Sequence, residues 1–383
     1  MTQSPPPLDV SLVLPCLNEA ATVGICVEKA LRAMHQAGLN GEVVVADNGS
    51  TDGSPEIAAA AGARVIHVPR RGYGAAYLEG NAHALAPIMV MADSDDTYDL
   101  SQIPDLVAKV REGYDMVLAS RLGGTIMPGA MPWLHRYVGN PVLTGLLNLL
   151  YGLRVSDAHT GMRAYTRAAY DRLNLRTTGM EYASEMIVTA GQARLKIAEI
   201  PTTYFPRASE SKLNTWRDGW RHLRYLLLRS PTALFLLPGL LLLVLGWLPL
   251  IALAPGPLTL GPFFIDFHVM IVGSAAALLG LQLVLLGVQG KRYLVAHGLD
   301  HRDAWIDWFE RHVTLERALL FGLALVAIGA AFGLYIFLIW AENNFANINE
   351  LRRGLLALTL TVSGTQVIFS ALFLSLLEIQ IKE

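Results

Sequence analysis

Four long apolar runs in the second half of the chain constrain its fold more than any other feature of the sequence. They cover residues 232–254, 265–288, 316–340 and 354–377. Each is close to the ~20 residues that an α-helix needs to cross the hydrocarbon core of a bilayer. Pro238 and Pro249 lie in the first run, but spanning helices tolerate proline because neighbouring helices satisfy the freed backbone groups. We therefore predict a four-helix transmembrane domain over residues 231–383.

The charges of the loops between these runs predict their orientation. Residues 255–262 contain no lysine or arginine, whereas the longer loop over residues 289–317 contains five. By the positive-inside rule the longer loop is cytoplasmic, which places both ends of the spanning domain in the cytoplasm. Arg352 and Arg353 fall on the opposite side and count against this orientation.

The first half of the chain alternates short apolar runs with amphipathic stretches. The runs at 9–15, 42–46, 64–68, 88–92 and 115–119 are predicted strands. Helices are predicted between them, the first of them at 18–37 with Asn18 as its N-cap. Such alternation predicts a doubly wound, Rossmann-like, mostly parallel sheet over residues 8–212. The polar, proline-rich residues 1–7 are predicted to be a disordered tail, and a net charge of −2 predicts no nucleic-acid partner.

An acidic cluster follows the fourth predicted strand. Asp93, Asp95 and Asp96 stand within four residues, and like charges so close favour a compensating cation. Carboxylates at the end of a strand are suitable ligands for Mg²⁺ or Mn²⁺, which keep other coordination positions for phosphate oxygens. The alternative is an acidic turn in which Asp96 caps a helix.

Other polar groups follow neighbouring strands, and in a parallel sheet such strand ends form the ligand site. Asp47 is placed to accept a hydrogen bond from a nucleobase. Arg70 and Arg71, with the backbone amides of Gly72 and Gly74, are placed to hold phosphates. Together they predict a site for a nucleoside diphosphate. The alternatives are a plain turn at Gly72-x-Gly74 and turn or cap chemistry at Asp47 and Asp52.

Two further stretches predict helices lying on a membrane surface. Residues 133–153 are apolar but interrupted by Arg136 and Asn140, which is typical of an interfacial helix. Residues 213–230 combine tryptophan with a basic face and precede the first apolar run, which favours a juxtamembrane amphipathic helix over an ordinary surface helix.

An ordered set of motifs resembles family 2 glycosyltransferases, in particular the branch of dolichyl-phosphate mannosyltransferases and polyprenyl-phosphate glycosyltransferases. The motifs span residues 8–230: Pro15-x-x-Asn18-Glu19, Asp47-Asn48-Gly49-Ser50-Thr51-Asp52-Gly53, Arg71-Gly72-Tyr73-Gly74-Ala75-Ala76, Asp93-x-Asp95, Ser120-Arg121 and Asp157-x-x-x-Gly161-x-Arg163. The resemblance implies a GT-A fold, a GDP- or UDP-hexose donor, a divalent metal (Mg²⁺ or Mn²⁺) and inversion at the sugar carbon. Some members of the branch also carry four spans after the catalytic domain.

The resemblance also implies roles for single residues. The donor would be bound by Pro15, Glu19, Asp47, Arg71, Gly72, Asp93 and Lys212, the last on a closing loop. Asp93 and Asp95 become the metal ligands, and Thr97 replaces the glutamine that relatives often use as a further ligand. Arg121 and Arg136 would hold the acceptor phosphate, and we predict that Asn140 joins them. The predicted catalytic set is Asp95, Asp157, Arg121 and Arg136.

A phosphate acceptor changes what the site must do. Its second pKa is near 6, so at neutral pH it attacks largely as a dianion and has no proton to lose. Asp157 is therefore predicted to orient the site or to act as an optional base, with a structural cap as the alternative. Glu181 and Glu185 are predicted to line the sugar pocket or pair with Arg163, and His159 to be a hydrogen-bonding loop residue.

The predicted function is metal-dependent, inverting transfer of a hexose, mannose or glucose, from a nucleotide sugar to polyprenyl or dolichyl phosphate at the cytoplasmic membrane face. One alternative is a processive polysaccharide synthase, although no Gln-x-x-Arg-Trp motif is present. Another is a non-catalytic membrane protein that binds or flips a glycolipid, against which the intact set of acids argues.

Overall fold

A computed structural model of the protein describes residues 7–208 and 215–379. The chain divides into two compact units, Met1–Leu226 and Leu227–Glu383, which are described separately. Residues 1–6 of the predicted tail at 1–7 and the predicted donor contact of Lys212 lie outside the described residues.

A seven-stranded sheet in the order β3-β2-β1-β4-β6-β5-β7 organises the first unit. The strands are β1 Val10–Cys16, β2 Gly41–Asp47, β3 Arg64–His67, β4 Ile88–Met91, β5 Met116–Ile126, β6 Arg163–Thr166 and β7 Ile197–Tyr204. Strand β6 runs antiparallel to β4 and β5, and the other pairings are parallel. The predicted mostly parallel α/β fold is confirmed.

Helices cover both faces of this sheet. They are α1 Val23–Gln36, α2 Ser54–Ala60, α3 Tyr73–His83, α4 Ile103–Arg111, α5 Asn140–Tyr151, α6 Arg167–Leu173 and α7 Tyr182–Gln192. Alternate residues of β1 point to opposite cores: Leu12 and Leu14 pack with α1 and α4, whereas Val13 packs with residues of α3 and α7. Strands buried on both faces explain why the apolar runs of the sequence are continuous rather than alternating.

The predicted N-cap at Asn18 is wrong. Helix α1 begins at Val23, and Asn18 adopts a left-handed conformation with φ 53°. Its side-chain oxygen accepts a hydrogen bond from the Thr51 amide at 2.8 Å. Asn18 therefore joins the loop after β1 to the loop after β2, because an Asx side chain competes well for backbone donors outside a helix.

Strand β5 is longer than predicted and positions a buried arginine. It pairs with β7 but changes register between Ser120 and Thr125, the segment that carries Arg121. Glycine has a low strand propensity, and glycines stand at 123 and 124, so the sequence predicts that this strand ends near residue 119. Tertiary pairing with β7 overrides that preference.

Two helical segments of the first unit expose apolar side chains. A π-helix at His135–Gly139 continues into α5, where Thr144 and Leu147 are buried. Trp133 and Leu149, by contrast, are 68% and 80% exposed. Helix α8, Thr215–Leu228, crosses the division between the two units and exposes Trp220. Both segments have the amphipathic character that the sequence predicts for surface helices.

Four described helices of the second unit are long and apolar enough to cross a bilayer: Thr232–Leu253, Phe267–Ala296, Leu315–Glu342 and Leu351–Leu377. The first begins as a π-helix and continues as α9 Leu237–Leu253, and the others are α10 Phe267–Ala296, α12 Leu315–Glu342 and α13 Leu351–Ile379. A short hairpin, β8 Leu258–Leu260 and β9 Phe263–Ile265, follows α9, and α11 Ala304–His312 precedes α12.

Small residues let these helices approach closely. A Cβ placed on Gly246 of α9 would lie 2.2 Å from the backbone nitrogen of Ala277 in α10, so no larger residue fits there without a shift. A Cβ placed on Gly364 of α13 would lie 2.5 Å from the carbonyl oxygen of Gly322 in α12. Between lipid-facing helices the hydrophobic effect is weak, so such close packing supplies much of the association energy.

Candidate active site

The carboxyl ends of β1, β2 and β4 place the predicted acids at one edge of the sheet. Asp47 is the last residue of β2, and Asp93 and Asp95 follow β4 directly. A side-chain hydrogen bond connects two of these strand ends, since Ser94 Oγ donates to the Pro15 carbonyl at 2.6 Å. The order of the strands thus brings together residues that the motifs leave far apart in sequence.

Asp93 is held by two phenols. Its Oδ1 accepts hydrogen bonds from the hydroxyls of Tyr73 at 3.0 Å and Tyr77 at 3.4 Å, which lie one turn apart on α3. Its Oδ2 packs against Gly161, where an added Cβ would lie only 2.3 Å away. Burial raises the pKa of Asp93 to about 6, and the negative charge of Asp95 adds to the effect. A cation at this site would relieve both costs.

One carboxylate oxygen of Asp95 accepts hydrogen bonds from Thr97, and the other faces the guanidinium of Arg207. Its Oδ1 accepts hydrogen bonds from the Thr97 amide at 3.2 Å and the Thr97 hydroxyl at 2.6 Å. Its Oδ2 lies 3.4 Å from Nε of Arg207. Thr97, at the position where relatives often place a further ligand, therefore orients Asp95. Sequence reasoning missed this contact and the two tyrosine contacts, although the spacing of Tyr73 and Tyr77 by four residues indicated a shared helix face.

Asp96 does not belong to this pair, and the alternative in which it caps a helix is wrong. It adopts a left-handed conformation with φ 59° and forms an ion pair with Lys29 of α1 at 2.7 Å. The cap of the next helical turn, Leu100–Gln102, is Asp99.

The donor set fits a metal that arrives with a nucleotide. Among the described residues, no group of three or more histidine, cysteine, aspartate or glutamate side chains could hold an ion. Asp93 and Asp95 offer two carboxylates, and Mg²⁺ is typically bound by one or two carboxylates together with substrate phosphates. When bound, such an ion would neutralise the charge that develops on a leaving diphosphate.

The predicted nucleoside-binding residues are largely engaged with neighbouring loops. Asp47 accepts hydrogen bonds from the amides of Gly49 at 3.3 Å and Ser50 at 3.1 Å. Burial acts to raise the pKa of Asp47, but the hydrogen bonds from Ser50, His67 and Gly49 outweigh it and hold the pKa below its usual range. Turn chemistry at this position is thus confirmed. A base contact would have to share the carboxylate with these donors.

The basic loop is fixed by Asn48. The side chain of Asn48 accepts a hydrogen bond from the Gly72 amide at 2.7 Å and donates one to the Arg70 carbonyl at 2.8 Å. The Gly72 amide is thus already paired, and a phosphate there would compete with Asn48. Arg71 is exposed and lies near Gly49, at the end of β2.

Asp157 is buried and paired with Arg121. Two side-chain contacts join them, Nε to Oδ2 at 2.7 Å and Nη2 to Oδ1 at 2.9 Å, and the Arg121 amide also donates to Oδ2 at 3.1 Å. Burial acts to raise the pKa of Asp157, but Arg121 outweighs it and holds the pKa below its usual range. This geometry favours the orienting role over the optional base, because a strongly ionised, bidentate carboxylate is a weak proton acceptor.

Of the predicted acceptor residues, Arg121 lies on β5, Arg136 on the π-helix and Asn140 at the start of α5. The Arg136 guanidinium lies 5.3 Å from the ring centre of Tyr137. Asn140 Nδ2 lies 3.5 Å from the sulfur of Met131. Burial lowers the pKa of His135, and the positive charge of Arg121 lowers it further, so this segment lies within electrostatic reach of Arg121.

The predicted pairing of Arg163 with the two glutamates is wrong. Arg163 is buried and donates to the carbonyls of Thr160, Ala183 and Ala158. Glu185 accepts from the amides of residues 176 and 177 and from the Thr177 hydroxyl. A buried guanidinium can be satisfied by carbonyl oxygens, which sequence patterns do not reveal.

His159 is a hydrogen-bonding loop residue, as predicted. Its Nε2 lies 3.0 Å from the Ser184 hydroxyl, which in turn lies 2.8 Å from His222 Nδ1 on α8. The loop that follows Asp157 is thus connected to α7 and α8.

Comparison with known proteins identifies the family of the chain. Residues 11–173 match the model for "Glycosyl transferase family 2", and residues 288–378 match the "Glycosyltransferase family 2 C-terminal transmembrane region". The chain belongs to glycosyltransferase family 2, so the resemblance predicted from its motifs is confirmed. With four candidate spans, it is a multi-pass membrane glycosyltransferase with a GT-A fold.

Individual relatives cover different shares of the chain. A low-salt glycan biosynthesis hexosyltransferase of Haloferax volcanii is 40% identical over 369 residues, covering 95% of this chain and 88% of the relative. A dolichyl-phosphate hexose transferase of the same organism is 34% identical over 212 residues, covering 55% and 89%. A structure of glucosyl-3-phosphoglycerate synthase from Mycobacterium tuberculosis with Mn²⁺ and UDP is 25% identical, covers 58% and 80%, and has a TM-score of 0.47.

Proposed function

We propose that this glycosyltransferase transfers a hexose from a nucleoside diphosphate to a polyprenyl or dolichyl phosphate at the cytoplasmic membrane face, with Mg²⁺ or Mn²⁺. The observation that carries the proposal is the position of Arg121. Its guanidinium packs on Tyr204, which packs on Tyr98, and the Tyr98 hydroxyl accepts a hydrogen bond from the Gly161 amide beside Asp93 of the predicted metal pair. Its charge also lowers the pKa of His135, next to Arg136. A buried arginine within reach of both is suited to hold an acceptor phosphate beside a donor diphosphate.

The reaction brings two anions together, and the charges of the site match that need. An oxygen of the acceptor phosphate attacks the anomeric carbon, the bond from that carbon to the β-phosphate oxygen breaks, and the nucleoside diphosphate leaves. Arg121 and Arg136 reduce the repulsion between the two anions. Asp157 keeps the Arg121 guanidinium in a fixed orientation, which supplies positioning rather than proton transfer.

The lipid acceptor is supported by the exposed apolar side chains beside Arg136. The exposed side chains are Trp133 just before the π-helix, Tyr137 within it and Leu149 on α5. Aromatic residues such as the first two favour the headgroup layer of a bilayer. A membrane-bound acceptor would present its phosphate at the depth of Arg136. The name of the second Haloferax relative, a dolichyl-phosphate hexose transferase, agrees with such an acceptor.

A donor screen tests the proposal. Purified protein is incubated with polyprenyl phosphate, Mn²⁺ or Mg²⁺ and each common nucleotide sugar, and both released nucleoside diphosphate and labelled lipid are measured. We expect one donor to give a lipid carrying a single hexose, Asp95→Ala to abolish transfer, and Arg136→Ala to raise the acceptor KM more than the donor KM. Failure of every donor, a long polymeric product, or donor binding without turnover would each contradict the proposal.

A further inference from the structure

Arg207 connects a predicted nucleoside-binding acid to a predicted metal ligand. It follows β7, and its Nη2 contacts Glu19 Oε1 while its Nε lies 3.4 Å from Asp95 Oδ2. The three side chains are largely buried, with 20% exposure for Arg207, 7% for Glu19 and 13% for Asp95. Charges shielded from water in this way interact more strongly than those on an open surface.

Arg207 contacts Oδ2 of Asp95, the carboxylate oxygen that a metal would need. Asp95 Oδ1 already accepts two hydrogen bonds from Thr97, so Oδ2 is the better placed ligand. A Mg²⁺ ion binds carboxylate oxygen at about 2.0–2.1 Å, so an ion between Oδ2 and Arg207 Nε does not fit within the 3.4 Å that separates these atoms unless the guanidinium moves. Two cations this close repel each other, so metal and Arg207 compete for Asp95.

We propose that Arg207 is the counter-ion of Asp95 before the donor binds, and that it exchanges this acid for the donor diphosphate when the metal enters. The inference rests on the proposed function, because it requires a metal and a nucleoside diphosphate at this edge of the sheet. Through this exchange, Glu19 and Asp95 each keep a positive partner both before and after the metal and the donor bind. A guanidinium is well suited to the second role, since its fork of donors matches phosphate oxygens.

Mn²⁺ binding to the full-length protein in detergent, measured by electron paramagnetic resonance without nucleotide, tests the competition. We expect Arg207→Gln to bind Mn²⁺ about three- to tenfold more tightly than the wild type, the size expected for loss of a partly buried ion pair. Arg207→Lys retains the charge and is expected to stay closer to the wild type. Lys29→Ala is the matched control, because it removes a cation next to Asp96 but not at Asp95.

The second arm adds the nucleoside diphosphate chosen by the donor screen. Nucleotide is expected to lower the Mn²⁺ Kd by a larger factor in the wild type than in Arg207→Gln, because only the wild type regains the guanidinium as a phosphate ligand.

Three results would overturn the inference. The first is unchanged or weaker Mn²⁺ binding by Arg207→Gln, and the second is an increase in Mn²⁺ affinity for Lys29→Ala as large as that for Arg207→Gln. The third is a decrease in the Mn²⁺ Kd on adding nucleotide that is equally large in the wild type and in Arg207→Gln. If Asp95→Ala leaves Mn²⁺ binding unaltered, the metal site of the proposed function fails as well, which distinguishes the two failures.

Discussion

Arg121 and Asp157 form a bidentate ion pair in which the carboxylate is completely buried and the guanidinium is 10% exposed. The ring of Tyr204 packs against Arg121, with 5.3 Å between the guanidinium carbon and the ring centre. The amides of Ser156 and Asp157 donate to Glu199. This arrangement holds an arginine rigidly at the predicted acceptor site and gives Asp157 a measurable structural role.

Asp157→Ala is expected to destabilise the first unit by about 3–5 kcal/mol, because it leaves a buried guanidinium without its carboxylate. Thermal unfolding in detergent measures the change. Glu112→Ala is the control, since it breaks the surface pair with Lys109 and is expected to leave Tm almost unchanged. Equal Tm values for the two variants would show that the buried pair does not stabilise the fold.

The same pair predicts how stability depends on pH. Because the pKa of Asp157 is lowered in the folded state, its stabilisation is present above the unfolded pKa of about 3.9 and is lost as the pH falls through the lower folded value. The stability difference between the wild type and Asp157→Asn should therefore be full at neutral pH and shrink below about pH 4. Unfolding of both proteins measured across this pH range tests the prediction. A stability difference between them that grew toward acid pH would contradict it.

Tyr73→Phe removes the shorter of the two phenol contacts to Asp93. Loss of such a partner of a metal ligand is expected to weaken Mn²⁺ binding by about tenfold or more. Tyr77→Phe should have a smaller effect because its contact is longer. Tyr165→Phe provides the control, since that hydroxyl donates to Asn81 in the same core. Titration with Mn²⁺ measures all three, and a loss for Tyr165→Phe equal to that for Tyr73→Phe would assign the effect to general packing.

Trp133→Ser combined with Leu149→Ser tests docking of the π-helix and α5 on the membrane. Burying each large apolar side chain contributes about 1.5–3 kcal/mol, so the double variant is expected to raise the KM for polyprenyl phosphate in vesicles by about tenfold or more. The donor KM should stay the same. Leu85→Ser changes another exposed leucine, 70% exposed, and should affect neither KM. A rise in the donor KM alone would argue against docking.

The sequence was sufficient for the parts of the fold that depend on local pattern. Alternating apolar runs predicted the parallel strands, and the rule that ligands bind at the carboxyl ends of strands placed Asp47, Asp93 and Asp95 at one edge. Bilayer length predicted the spans, although α10 continues to Ala296, eight residues beyond the predicted end at 288. Polar and basic residues in that last part fall outside an apolar run but extend the helix readily.

Contacts between residues far apart in the sequence could not be predicted from local pattern. Glu19 and Arg207 lie 188 residues apart and meet only after β7 has joined the far side of the sheet. The antiparallel β6 between β4 and β5 is equally non-local. The motif around Thr97 does not indicate that its hydroxyl binds Asp95, because this contact depends on the conformation of the turn after Asp95.

The carbonyl contacts of Arg163 bear on how the site can diversify. Because the guanidinium binds main-chain oxygens at positions 158, 160 and 183, these three hydrogen bonds do not depend on the side chains present at those positions. A change of side chain there leaves the oxygen acceptors of this anchor in place.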